Sequence, residues 1–494
     1  MSLGPGAGGR PRSSRPARRR RGRRPPTLAR RRARLALALA ALILVVAMLV
    51  SGLGGGSVPT PPRGGTAAPA SGADPFGYTP AHAAQFAARA IAGNGHVLFT
   101  KSPGGALSTA ARVAAYRSAI DHATAGSGVD PKLLEALVFV ESAGRAQVIA
   151  GSDPASAAGL TQILAETGQS LLGMHIDLAR SRTLTAQIDA VAAGTRNGPL
   201  APLLARRAAA DDRFDPAREL AATVRYLQIA QRQFGRADLA IESYHMGIGN
   251  LHQVLADYDG GRPVPYPQLY FDVAPDRHPA AFRLLASFGD DSSLYYWRVL
   301  GAEQIMHLYR THRPALRRLS SLQLADDAGA AVLHPPDRVR PFADPAALAA
   351  AYQSRAIVPL PSNQAQLSLS FDSSMGSGAA GVGAPRSLYR GLRPGALRLL
   401  IDLGAGVRRL SRLSPLRVAT TVSDQRYEQH INNPYEPDAT GWSFAIDRRY
   451  AGPAQAQAFQ DLLDRLASLN LIAWSREGST IEITVASDAA TWRG

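Results

Sequence analysis

The run Leu35–Leu53, LALALAALILVVAMLVSGL, holds nineteen residues without a charge. A helix rises about 1.5 Å per residue, so this run is just long enough to cross a hydrocarbon core. It divides the chain into a short part before it and a long part after it. Thirteen arginines and no acidic residue lie between Arg10 and Arg34, directly ahead of the run. Positive charge is retained on the cytoplasmic side of a membrane. Residues 1–34 are therefore expected as a cytoplasmic tail and 35–53 as a single N-terminal transmembrane helix, with everything after Leu53 outside. The rival reading is a cleaved signal peptide, but the run is long for one and no A-x-A site follows it. The net charge of +17 suggests nucleic acid until it is located: thirteen of those charges sit in the tail, leaving +4 for the other 460 residues. A solvated topogenic run explains the tail better than a nucleic-acid partner does. No cysteine occurs in 494 residues, which excludes a disulfide scaffold, thiolate zinc sites, iron–sulfur clusters and a cysteine nucleophile.

Residues 54–80 are rich in Gly, Pro, Ser and Ala and are expected to be a linker. Fully extended, they reach on the order of 90 Å. From 81 to 320 helical periodicity dominates. Asp130-Pro131 is a cap followed by a proline suited to a first helical turn, and Leu134, Leu137 and Val138 follow at helical spacing. Glu141 falls seven residues after Leu134 and four after Leu137, so its carboxyl lies on the apolar face. Burial there raises a carboxyl pKa and keeps it protonated near neutrality, as a general acid requires. A buried glutamate paired with Arg145, or one that simply reaches solvent at a helix end, is the structural alternative. Asp215-Pro216 repeats the helix start, and Leu220, Val224, Leu227 and Phe234 form a stripe ending at Gly235. A short helix from about Ala237 then runs into Ser243-Tyr244-His245-Met246-Gly247-Ile248-Gly249-Asn250, where glycine breaks the helix. Between these blocks, Gly159-Leu160-Thr161-Gln162-Ile163 offers a glycine turn with an amide beside it.

A Glu-Ser at a helix end, a Gly-Leu-x-Gln-Ile turn and a Tyr before a glycine-rich break, in that order, resemble the lytic transglycosylases of glycoside hydrolase family 23. The resemblance covers roughly residues 105–255 and includes the helix DPARELAATVRYLQIAQRQFG. It implies a mainly α, lysozyme-like domain over 81–320 that binds peptidoglycan glycan strands and needs no cofactor or metal. Glu141 would be the single acid–base, cutting between N-acetylmuramic acid and N-acetylglucosamine to leave 1,6-anhydromuramic ends. Tyr244 and Gln162 would position the sugar and Ser142 would orient Glu141. Gly159, Leu160, Ile163, His245, Met246 and Gly247 complete the implied substrate contacts, with core packing the better role for Ile163. Thr161, His245 and Met246 stand where the family has Met, Asn and Ala, so altered subsite contacts are expected. The stretch from about Gly168 to Asp212 is longer than the family's connection and is expected to form a lid or lengthen the groove. A lysozyme-type muramidase would add an aspartate to activate water, with Asp153, Asp177 and Asp189 available; a third alternative is a non-catalytic peptidoglycan-binding scaffold. Cell-wall machinery proteins are the candidate protein partners.

The aromatic stretch Ser293 to Tyr309 has the spacing of helix packing and is assigned to the core. The eleven histidines show no H-x-x-x-H or H-E-x-x-H pair. Residues 321–385 read as a connector. From 386 to 494 a smaller α+β domain is expected, with helices near Pro394–Leu413 and Pro453–Leu469 and strands at Leu416–Val422, Leu471–Trp474 and Thr480–Val485. Within it, Thr440-Gly441-Trp442-Ser443-Phe444-Ala445-Ile446-Asp447 resembles the zinc segment of D-Ala-D-Ala carboxypeptidases. Asp438 stands where that family has its first His ligand, Ala445 or Ile446 where the ligand Asp belongs, and Ile481-Glu482-Ile483-Thr484 lacks the final His. A degenerate peptidase-like domain that keeps a peptide groove is the expectation.

Overall fold

The computed structural model describes Asp74 and residues 76–289, 292–433 and 436–492. The arginine tail, the Leu35–Leu53 run and the linker up to residue 73 lie outside the described residues. Apart from residues 150–152, what is described belongs to one compact unit, mainly helical with a smaller sheet region toward the C-terminus. Among the described residues no helix is long and apolar enough to cross a membrane.

The helical part contains α1 (Ala83–Gly93), α2 (Ala106–Ala114), α3 (Arg117–Thr124), α4 (Pro131–Ser142), α5 (Leu178–Ala192), α6 (Leu200–Ala210), α7 (Pro216–Phe234), α8 (Ala237–Met246), α9 (Ile248–Asp259) and α10 (Tyr295–Thr311). Both expected starts are made as the residues dictate. Asp130 accepts from the Lys132 amide, and Asp215 accepts from the amides of Ala217 and Arg218. Helix α7 ends on Gly235 at φ 66°, and its stripe of Leu220, Val224, Leu227 and Phe234 is buried. Helix α4 packs against α2, α3 and α10, with Leu134, Ala136, Leu137 and Val138 fully buried. It closes through Ala143 and Gly144, whose amides donate to the Phe139 and Val138 carbonyls. Gly144 is required there: a Cβ would come within 2.9 Å of the Val113 nitrogen.

The sheet region carries β1 (Leu369–Phe371), α11 (Pro394–Ser411), β2 (Leu416–Thr420), α12 (Gln425–Ile431), β3 (Ser443–Asp447), α13 (Pro453–Ser468), β4 (Ile472–Glu477) and β5 (Thr480–Val485). The strand order is β1-β2-β3-β5-β4. Strands β1 and β2 are parallel across α11, and the remaining pairs are antiparallel. The sheet thus begins at residue 369, inside the expected connector, because three residues suffice for an edge strand and give little periodicity to read.

Residues before 81 also join the core. Phe76 is buried and the Tyr78 ring lies 5.2 Å from that of Phe86, so the last residues assigned to the linker are part of the core. Helix α1 packs against α13, close enough that a Cβ on Gly93 would fall 2.4 Å from the Ala467 carbonyl oxygen. Phe86 meets Trp492 edge-on at 4.8 Å, and Arg89 pairs with Asp488 at 2.5 Å.

Candidate active site

Helix α4 delivers Glu141 in its last turn, and α10 starts beside it. The Tyr295 hydroxyl donates to Glu141 Oε1 at 2.5 Å. Glu141 keeps part of its surface open while protein atoms crowd around its carboxyl. Burial raises its pKa to about 7, against the smaller opposing effect of the Tyr295 hydrogen bond. It has no ion-pair partner among the described residues: Arg145, the alternative considered above, donates its Nε to the Ser142 carbonyl at 2.9 Å. Tyr295 was assigned to core packing. It is indeed buried, but its hydroxyl is the group that holds the carboxyl, a role its aromatic spacing conceals. The neighbouring Trp297 fits the core assignment, fully buried among Tyr266, Tyr270 and Phe271.

The turn at 159–163 and the end of α8 come to the same place. The Tyr244 ring stacks on Tyr295 at 6.3 Å and its hydroxyl donates to the Thr161 carbonyl at 2.8 Å. His245 is exposed, lies 5.1 Å from the Tyr295 ring and shares a 2.9 Å hydrogen bond with Ser292. Gly247, at φ 87°, separates α8 from α9. Gln162 sits at φ 54° with its amide nitrogen donating to the Val148 and Gly159 carbonyls, so it braces the turn.

Three expected contacts, those of Ser142, Leu160 and Met246, are corrected, and Ile163 takes the core position favoured for it. Ser142 is buried, with its hydroxyl donating to the Val138 carbonyl, and it does not orient Glu141. Leu160, Ile163 and Met246 are buried in the hydrophobic core, because the turn and α8 present these side chains inward. Thr161 is also fully buried, so it belongs to the support beneath the turn and not to an open surface.

That support has no local signature in the sequence. Glu219, fully buried on α7, accepts from the Leu160 amide at 2.6 Å and from the Thr161 amide and hydroxyl at 2.8 and 3.0 Å. Thr223 completes the set with a 2.7 Å bond to the Thr161 hydroxyl. Desolvation raises the Glu219 pKa to about 8, outweighing these hydrogen bonds. Gly159, at φ 91°, makes room for the carboxylate: a Cβ would lie 2.4 Å from both its oxygens and 2.1 Å from the Arg213 carbonyl oxygen. A buried Arg213–Asp211 pair at 2.7 Å fixes the same loop, with Arg213 donating to the Pro154, Ser156 and Ile163 carbonyls. The only sequence signal for Glu219 was an acid in the first turn of a capped helix, where the helix dipole accounts for it equally well.

The long stretch after residue 168 contains α5 and α6, which pack on one another over Leu184, Ile188 and Leu203. Arg207 ties them to Gln147, six residues beyond Glu141, with a 2.6 Å hydrogen bond. None of the three aspartates considered for water activation is hydrogen-bonded or ion-paired to Glu141. Asp153 pairs with Arg182 at 2.8 Å, Asp177 caps α5 and Asp189 is exposed on it.

In the sheet region, β3 occupies the segment that resembles a zinc site. Its register sets Ala445 opposite Glu482, and the Glu482 carboxyl acts on that of buried Asp438. Asp438 and Glu482, two of the positions compared above with a zinc segment, are therefore neighbours. No three described His, Asp or Glu side chains are placed to hold a metal ion. Neither a family model nor a curated protein sequence matches the chain.

Proposed function

We propose that this chain is a membrane-anchored peptidoglycan lytic transglycosylase, cytoplasmic at its N-terminus and exported beyond Leu53. The observation that carries the reading is Glu141: a carboxyl with a pKa near 7, partly open to solvent, held by one tyrosine hydroxyl and, among the described residues, bonded to no second carboxylate. Such a group is half-protonated at neutral pH and serves as acid and then base. Protonated Glu141 gives its proton to the glycosidic oxygen as the bond from the muramic C1 breaks, with the substrate's acetamido group supporting the charge that develops at C1. The carboxylate, now stabilised by the Tyr295 hydroxyl, takes the proton of the muramic 6-hydroxyl, whose oxygen closes on C1. The products are a 1,6-anhydromuramic end and a free N-acetylglucosamine hydroxyl, and no water is consumed. Substrate assistance of this kind stands outside the two-carboxylate scheme. Tyr244 and exposed His245 border the same place and suit contact with the sugar.

The test is digestion of purified sacculi by the full chain, with the soluble muropeptides read by mass spectrometry. Anhydromuramic ends are expected. Reducing ends make the protein a muramidase, and sedimentation with the sacculi without release makes it a scaffold.

A further inference from the structure

A cavity of about 250 Å³ opens on the sheet region among β2, α12 and residues 374–377, far along the chain from Glu141. Ser423, Glu428 and Asp438 line it, at 3%, 7% and 3% exposure. Asp438 Oδ1 and Glu428 Oε2 have no hydrogen-bond partner, and neither has Oε2 of adjacent Glu482, itself 8% exposed. Each buried acceptor left without a donor costs about 1–3 kcal/mol. The charges acting on Asp438 are both negative, those of Glu482 and Glu428, and together with burial they push its carboxyl well above the usual range. Asp424, close by, shows what satisfaction looks like: it accepts from the Tyr389 hydroxyl at 2.8 Å and the Tyr427 amide at 2.9 Å. The unpartnered oxygens thus belong to a set of neighbouring carboxyls at one cavity, where the Ser423 hydroxyl is likewise without a partner.

We infer that this cavity binds a primary ammonium group on a small organic ligand, with an amino-acid side chain as the size it admits. An ammonium brings positive charge and three N–H donors, which answers unpartnered carboxylate oxygens beside a serine hydroxyl. A metal ion needs its ligands drawn to one point, and no three acidic or histidine side chains among the described residues are so placed. The rest of the wall suits an organic cation: Met375 is apolar, and Tyr427 presents a ring stacked at 4.0 Å on Tyr389. The volume admits a group the size of one amino acid and excludes a folded segment. This site is independent of glycan cleavage and stands or falls separately from it.

The experiment is calorimetric titration of the full chain with glycyl-lysine amide and with the same peptide acetylated on both amines. Saturable binding of the free peptide is expected, weakened about tenfold or more by acetylation, since hydrogen bonds to charged groups contribute about 1.5–3 kcal/mol. The double variant Asp438→Asn, Glu428→Gln is expected to lose the same binding while its thermal midpoint holds or rises. If that variant does not fold, the two peptides on the unaltered protein decide alone. Equal affinity for both peptides, absence of binding, or tight binding of calcium or zinc alone that depends on Asp438 would each overturn the proposal.

Discussion

Two groups of buried carboxyls occur in this molecule, and their surroundings differ in kind. Glu141 and Glu219 are each given donors: one tyrosine hydroxyl for the first, two amides and a hydroxyl for the second. Asp438, Glu428 and Glu482 each keep an oxygen that receives nothing, although Thr480 donates to the other Glu482 oxygen and Asn433 bonds to Glu428. All have pKa values raised by desolvation. The difference teaches that burial alone does not define a chemical site. A lone carboxyl with a fixed donor and a free second oxygen is poised to pass a proton, whereas several carboxyls clustered at one cavity, each with an oxygen to spare, are poised to receive a cation.

The sharpest way to break the comparison is Glu141→Gln. Anhydromuropeptide release should fall by about 10²- to 10⁴-fold, the range for loss of a general acid, while Asp438→Asn should leave it unchanged. If the two variants lost release equally, the distinction between the sites would fail. Gly159→Ala should come next, destabilising the fold by about 1–3 kcal/mol or more in denaturant titration, because its Cβ collides with the Glu219 carboxylate and the Arg213 carbonyl oxygen. Tyr295→Phe should reduce kcat about tenfold with KM little changed, the loss of about one hydrogen bond to a charged group. Since that bond lowers the Glu141 pKa, its removal should also move the alkaline limb of the kcat profile upward from near pH 7.

The smallest effect is a pH dependence of stability. Glu141 and Glu219 have folded-state pKa values of about 7 and 8, above the ordinary carboxyl value, so the folded state holds these protons more tightly than the unfolded chain does. Their contribution to stability is fully present below about pH 4.5 and is lost as pH rises through 7 and 8. The thermal midpoint should therefore drop between pH 5 and 8.5, and Glu219→Gln should flatten that slope. A midpoint that rose over the same interval would show that these carboxyls are not buried as described.

The helices of the candidate site were legible because their ends are marked by local chemistry. Asp130-Pro131, Asp215-Pro216 and Gly235 act within a few residues, and the apolar stripes between them repeat at helical spacing. Glu141 was legible for the same reason, as a charge falling on an apolar face. Tyr295 was not, since it meets Glu141 across 154 residues and sits among aromatics whose spacing describes packing equally well. Glu219 and Arg213 were hidden for a related cause: a buried charge is betrayed only by partners that the fold assembles. In the sheet region the regular strands and the two long helices were readable, but the short edge strand β1 and the meeting of Asp438 with Glu482 depend on register, which no local pattern states.

The contact of α1 with α13 and the final residues sets an order of events. A polypeptide is synthesised from its N-terminus, so α1 emerges some 400 residues before Trp492, the ring that covers Phe86. Until that ring arrives, Phe86 has its Tyr78 and Phe271 neighbours but lacks its edge-on cover. A chain cut short before Asp488 therefore loses both the ion pair and the aromatic contact that hold α1 from this side.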